Sequence, residues 1–150
     1  MSLSKRASTK FSFKNEDVVY LSKFGGTQFS SVTADLRVKF VRKSNAEDKF
    51  VEIGVYDEEF FYDIMYNGQT CDEKRNKALK ISKMNLDSTG AFSETESMVL
   101  MASYEPKIWY FAALDCQNFL KDAKKYIPRL EAEIIFLNDD GSQFSYEDKG

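Results

Sequence analysis

The stretch Asp35–Phe40 reads DLRVKF, and it alternates charged and apolar side chains at every position. Leu36, Val38 and Phe40 recur at period two, with charged residues between them. Successive side chains of a β-strand point to opposite faces, so such a segment has one buried face and one wet face. The stretch therefore predicts a half-buried strand in a sheet whose second face meets solvent.

The same signal recurs along the chain at short spacing. Further strand-like segments lie at 11–13, 18–24, 51–55, 79–81, 97–104, 107–114 and 130–136. The segment 18–24 is predicted to end in a turn at Gly25-Gly26. The segment Glu58 to Tyr66 is predicted to form one short helix or turn. About eight short strands with one short helix predict an all-β, antiparallel β-sandwich. Its interior is predicted to contain Val38, Phe40, Ile53, Trp109, Phe111, Ile134 and Phe136.

The domain organisation is predicted to be simple. A chain of 150 residues is the usual size of one domain, and no repeat or linker interrupts residues 11–150. Residues 1–10 are predicted to be a leader or a disordered N-terminus, because the opening Met1-Ser2-Leu3 looks like an expression leader. We therefore expect one β-sandwich over residues 11–150.

Charge and composition bear on function. The chain has 21 basic and 24 acidic residues, and this balance predicts no nucleic-acid partner. Histidine is absent, which removes the commonest general base and metal ligand. The acidic groups Asp57–Glu59 and Asp139–Asp140 are interpreted as solvated turn residues rather than catalytic carboxylates or a calcium loop. We therefore predict no enzymatic activity, no catalytic or metal-binding residue and no cofactor.

Binding remains as the predicted mode of action. The turn-rich segments Gly25 to Thr33 and Asn118 to Pro128 are predicted to carry ligand contacts, because core packing constrains them least. Trp109 and Tyr110 lie in an apolar run and are predicted to be core residues rather than a stacking platform. The two cysteines, Cys71 and Cys116, are compatible with one disulfide or with two buried thiols, and composition leaves both open.

Four blocks of the second half resemble a known receptor family. Cys71 to Ala78 reads CDEKRNKA and resembles the Cys-x-Glu-Lys-x-x-Lys-Ala stretch of the intimal-thickness-related receptors, which are GOLD-domain seven-transmembrane proteins. Trp109 to Cys116, Glu133 to Asn138 and Phe144 to Gly150 resemble later blocks of that family, in the same order. The first half matches only as a strand pattern, and the spacer Gln117 to Arg129 is specific to this chain.

The resemblance carries several implications. It implies a sandwich of GOLD type and a disulfide between Cys71 and Cys116. It also implies a location on the luminal or extracellular face of the Golgi or plasma membrane, with membrane helices following this fragment. Its partner would be a protein ligand or cargo in signalling or trafficking. The alternative is a free-standing β-sandwich that binds a small molecule, lipid or sugar between its sheets.

Overall fold

The computed structural model describes residues 4–14, 16–42, 49–66, 68–117, 119–120 and 127–138. Eight strands and two short helices follow one another along these residues. In chain order they are β1 (Ser4–Phe11), β2 (Val18–Gly26), β3 (Ser31–Phe40), β4 (Phe50–Asp57), α1 (Glu58–Tyr66), α2 (Cys71–Asn76), β5 (Lys80–Asn85), β6 (Glu96–Met101), β7 (Lys107–Leu114) and β8 (Leu130–Asn138). None of the described helices is long and apolar enough to cross a membrane.

The strands form two antiparallel sheets of four strands each. The first sheet has the order β1-β8-β3-β6, and the second has the order β2-β7-β4-β5. One core cluster contains inward-facing residues of both sheets, so the sheets pack face to face as a sandwich. The predicted all-β sandwich is confirmed, and the segment predicted to form a short helix or turn, Glu58–Tyr66, is helix α1.

The sandwich interior follows the period-two pattern of the sequence. All seven residues that were predicted to lie inside are at most 2% exposed. Phe24 stacks on Phe136 at a ring distance of 4.1 Å, and Phe111 meets Phe136 edge-on at 5.4 Å. Aromatic rings therefore fill the space between the sheets around these residues.

A second apolar cluster lies on the outer face of the second sheet. Tyr56, Tyr110 and Leu114 point away from the sandwich interior and are covered by the helices, with Phe61 of α1 stacked on Tyr110 at 4.3 Å. This arrangement explains why β4 and β7 are continuous apolar runs: both of their faces are buried.

Two predictions about local structure are wrong. Residues 4–10 are not a disordered N-terminus, since β1 pairs with β8 from Ser4↔Leu137 to Phe11↔Leu130. Gly25-Gly26 is not a turn, because β2 continues through Gly26, which pairs with Lys107. A Cβ atom on Gly26 would lie 2.5 Å from the buried indole ring of Trp109, so glycine is needed here for close packing rather than for a turn.

Candidate recognition surfaces

The acidic cluster Asp57–Glu59 lies where β4 passes into α1. Glu58 and Glu59 are exposed in the first turn of that helix, where carboxylates interact favourably with the helix dipole. Asp57 pairs with Lys107 at 3.7 Å. Within the described part of the chain, no three histidine, cysteine or acidic side chains are grouped to hold a metal ion. The cluster is thus explained by solvation, the helix dipole and the ion pair with Lys107. Asp139 and Asp140 lie outside the described residues.

Cys71 and Cys116 form a disulfide, as the resemblance implied. Their Cα atoms are 5.3 Å apart and their sulfur atoms 2.08 Å apart. Cys71 begins α2 and Cys116 follows the end of β7, so the bridge ties the helix to the outer face of the second sheet. Both cysteines are partly buried against the second apolar cluster.

Helix α2 was not predicted. It buries none of its six residues, so apolar periodicity could not mark it. The available signal was a capping box: the side chain of Thr70 accepts a hydrogen bond from the backbone N–H of Glu73 at 3.2 Å. Polar contacts then dock the helix, since Arg75 donates hydrogen bonds to both carboxylate oxygens of Glu52, at 2.8 and 2.9 Å.

The outer face of the first sheet carries paired charges. Glu133 of β8 is nearly buried and accepts a hydrogen bond from Arg37 of β3 at 2.7 Å. That hydrogen bond holds the pKa of Glu133 below its usual value, although burial acts in the opposite direction. The ring of Phe92 lies 3.9 Å from the Arg37 guanidinium carbon. The charges of Glu133 and Arg37 are therefore paired within the domain.

A cleft opens at the edge of the sandwich where β5 ends and β6 begins. β5 and β6 are outer strands of their sheets, and Lys80 Nζ donates to the carbonyl of Val99 at 2.7 Å, which places both strands on the same side. We call the opening beside them, with a volume of about 460 Å³, the edge cleft. Its lining residues are Lys83, Met84, Asn85, Leu86, Asp87, Phe92, Ser93, Glu94 and Glu96.

Three large exposed apolar residues lie at one end of the sandwich. Phe29, Met101 and Tyr104 are 65%, 74% and 79% exposed. The rings of Phe29 and Tyr104 are 5.9 Å apart and tilted by 60°. We call these three residues the aromatic tip.

The two loops that were predicted to carry ligand contacts lie at opposite ends of the sandwich. In the segment Gly25 to Thr33 only residues 27–30 form a connection, and it leads to the aromatic tip. In the segment Asn118 to Pro128, the described residues follow β7 or precede β8 at the other end, where Leu120 and Pro128 are buried. The two segments therefore cannot form one binding surface. Trp109 and Tyr110 are buried as predicted and offer no stacking platform.

No protein-family model and no curated protein matches the chain. Several solved structures align with most of the chain. The acid-stable capsid of Helicobacter pylori bacteriophage KHP30 aligns over 91% of this chain and 93% of its own, with 14% identity and a TM-score of 0.44. The K3 adhesin domain of the Porphyromonas gingivalis Lys-gingipain aligns over 88% and 74%, with 9% identity and a TM-score of 0.46.

A carbohydrate-binding module is also among the similar structures. The C-terminal family 6 module of LamC, a laminarinase from Zobellia galactanivorans, aligns over 93% of this chain and 100% of its own. The identity is 9% and the TM-score 0.42.

Proposed function

We propose that this chain is a non-catalytic recognition domain that binds a protein ligand or cargo along the edge cleft. The single observation that carries the proposal is the edge cleft itself, which lies where β5 ends and β6 begins, the two being outer strands of their sheets. An extended segment of a partner can add to such a strand through main-chain hydrogen bonds, while pockets beside the strand select its side chains.

The lining of the edge cleft suits such a segment. Met84 and Leu86 are buried at its base, and Phe92 adds an apolar wall. Among the charged lining residues, Asp87, Glu94 and Glu96 outnumber the one lysine. The cleft therefore favours an extended segment with apolar side chains and a basic residue.

The disulfide supports a luminal or extracellular location. Disulfides persist in oxidising compartments and are rare in the reducing cytosol. Cys71 and Cys116 are bonded in this structure, and the blocks around them carry the resemblance to the intimal-thickness-related receptors. We accordingly propose a receptor-like protein of the Golgi or plasma membrane, with a domain of GOLD type and membrane helices after it. The alternative, a ligand held between the sheets, has less support, because aromatic rings fill that space.

The ligand site is tested by site-specific photocrosslinking in the full-length protein in cells. A benzoylphenylalanine at the exposed position Glu94 should give discrete protein adducts. The matched control carries the same probe at Lys10, which is also exposed but lies on β1 at the opposite edge of the first sheet. Equal adducts from both positions, or none from Glu94, would refute the edge cleft as the ligand site.

The membrane context is tested by reading the gene beyond Gly150. Apolar segments of about 20 residues there support the receptor proposal. A stop codon at that point would overturn it, and the proposed ligand site would then belong to a free-standing domain.

A further inference from the structure

The aromatic tip is held in place by its backbone. Phe29 donates its N–H to the carbonyl of Ser103 at 2.9 Å, and Ala102 donates to the carbonyl of Ser30 at 3.0 Å. These reciprocal bonds join the β2–β3 and β6–β7 connections. The loops therefore present Phe29 and Tyr104 from a cross-linked platform.

Phe29 adopts a backbone conformation that bulky residues avoid. Its φ is +58°, in the left-handed region, where a side chain crowds the following carbonyl. Such strain persists where the surrounding structure enforces it, and it concentrates at binding sites. An aromatic residue that is both strained and 65% exposed contributes little to the core, so its position indicates a contact outside the domain.

The register of the strands places the aromatic tip at the end where β8 finishes. Val32 pairs with Asn138, and the adjacent Ser31 pairs with Met101. If membrane helices follow this domain, as proposed above, the chain leaves β8 toward the bilayer from this end. In that case this end of the sandwich would be the end nearest the point where the chain departs for the bilayer.

We infer that the aromatic tip inserts into the interfacial region of a zwitterionic phospholipid bilayer. Exposed aromatic and apolar side chains on a projecting tip suit that region, where a ring can bury its apolar body and keep a hydroxyl in water. Glu105 is next to Tyr104 in the chain, and Glu58 and Glu59 line a groove together with Glu105. This acidic surrounding disfavours an anionic lipid surface.

The inference deepens the proposed function, because it assigns the membrane-facing end of the same domain. It leaves the edge cleft free. Lys80 begins β5 at the end of the sandwich that carries the aromatic tip, and the cleft residues Lys83 to Asp87 lie toward the other end. Protein recognition and membrane contact would thus use separate surfaces.

Co-sedimentation of the 150-residue chain with phosphatidylcholine vesicles tests the inference. We expect the unaltered chain to bind, and Phe29→Ser and Tyr104→Ser each to weaken binding about tenfold, the effect of removing one partly inserted ring. The matched control is Phe119→Ser, which removes an exposed phenylalanine outside the tip. Circular dichroism should show all three variants folded.

Several outcomes would overturn the inference. The inference fails if the unaltered chain does not bind vesicles, or if the Phe119→Ser variant loses as much vesicle binding as the tip variants. It also fails if binding needs anionic lipid and falls with salt. Loss of the Glu94 cross-links in Phe29→Ser, with vesicle binding unchanged, would make the tip a protein-docking site instead. Vesicle binding without any Glu94 cross-link would retain the inference and reject the ligand site, so the two failures are distinguishable.

Discussion

Removing the disulfide should cost this domain a large part of its stability. The bridge closes a loop with a sequence separation of 45 residues. In the chain-entropy model, a loop of that length restricts the unfolded chain by about 4 kcal/mol at room temperature. Single domains have total stabilities of about 5–15 kcal/mol, so the loss would be a substantial fraction. Replacing both Cys71 and Cys116 by serine avoids leaving a lone thiol.

The structure also indicates where the loss begins. Helix α2 buries none of its residues, and six residues are too few for a helix to be stable alone in water. Without the bridge, polar contacts such as Arg75 to Glu52 and the Tyr56 hydroxyl to the Lys74 carbonyl would hold α2. We therefore expect α2 to separate from the sheet before the sandwich unfolds.

Urea denaturation followed by tryptophan fluorescence measures this loss. Trp109 is the single tryptophan and is 2% exposed, so its emission reports unfolding of the sandwich core. With a urea dependence of about 2 kcal/mol per molar, the midpoint should fall by about 2 M. Reductant should shift the unaltered protein to the same midpoint and leave the double variant unchanged. A fall in stability below about 1 kcal/mol would refute the reasoning.

Three further substitutions test other parts of the structure. Gly26→Ala should destabilise by about 1–3 kcal/mol in urea denaturation, because its Cβ would overlap the Trp109 ring; unchanged stability would contradict the packing. Glu133→Gln should cost about 1.5 kcal/mol at neutral pH through its hydrogen bond with Arg37. Folding lowers the pKa of Glu133, so this stabilisation is complete above the unfolded pKa and is lost as pH falls through the folded pKa. The free energies of unfolding of the variant and the parent should therefore converge in acid, and a constant difference would contradict this. Phe29→Gly should leave thermal stability unchanged or raise it by up to about 1 kcal/mol, as backbone strain is relieved, while vesicle binding falls; marked destabilisation would show that the ring is part of the core.

The sequence was sufficient for the fold class and the sandwich core. Leu36, Val38 and Phe40 alternate with charged residues, and in a strand that alternation has only one arrangement in which the apolar side chains leave water. A different local pattern, the helical spacing of Phe60, Ile64 and Met65, predicted the short helix or turn over Glu58–Tyr66. The cysteine pairing was predictable only from the resemblance, because residues 45 positions apart meet through the fold and not through local pattern.

The tertiary structure alone decided the features that depend on distant neighbours. In the sequence, Gly26 is a turn signal; in the structure it lies within β2, where the indole of Trp109 leaves no room for a Cβ atom. Residues 4–10 are part of the first sheet because they pair with β8, which lies more than a hundred residues further along the chain. The edge cleft and the aromatic tip depend on which strands lie at the sheet edges and at which end each connection falls. Those arrangements come from long-range pairing, which period-two patterning along one strand does not encode.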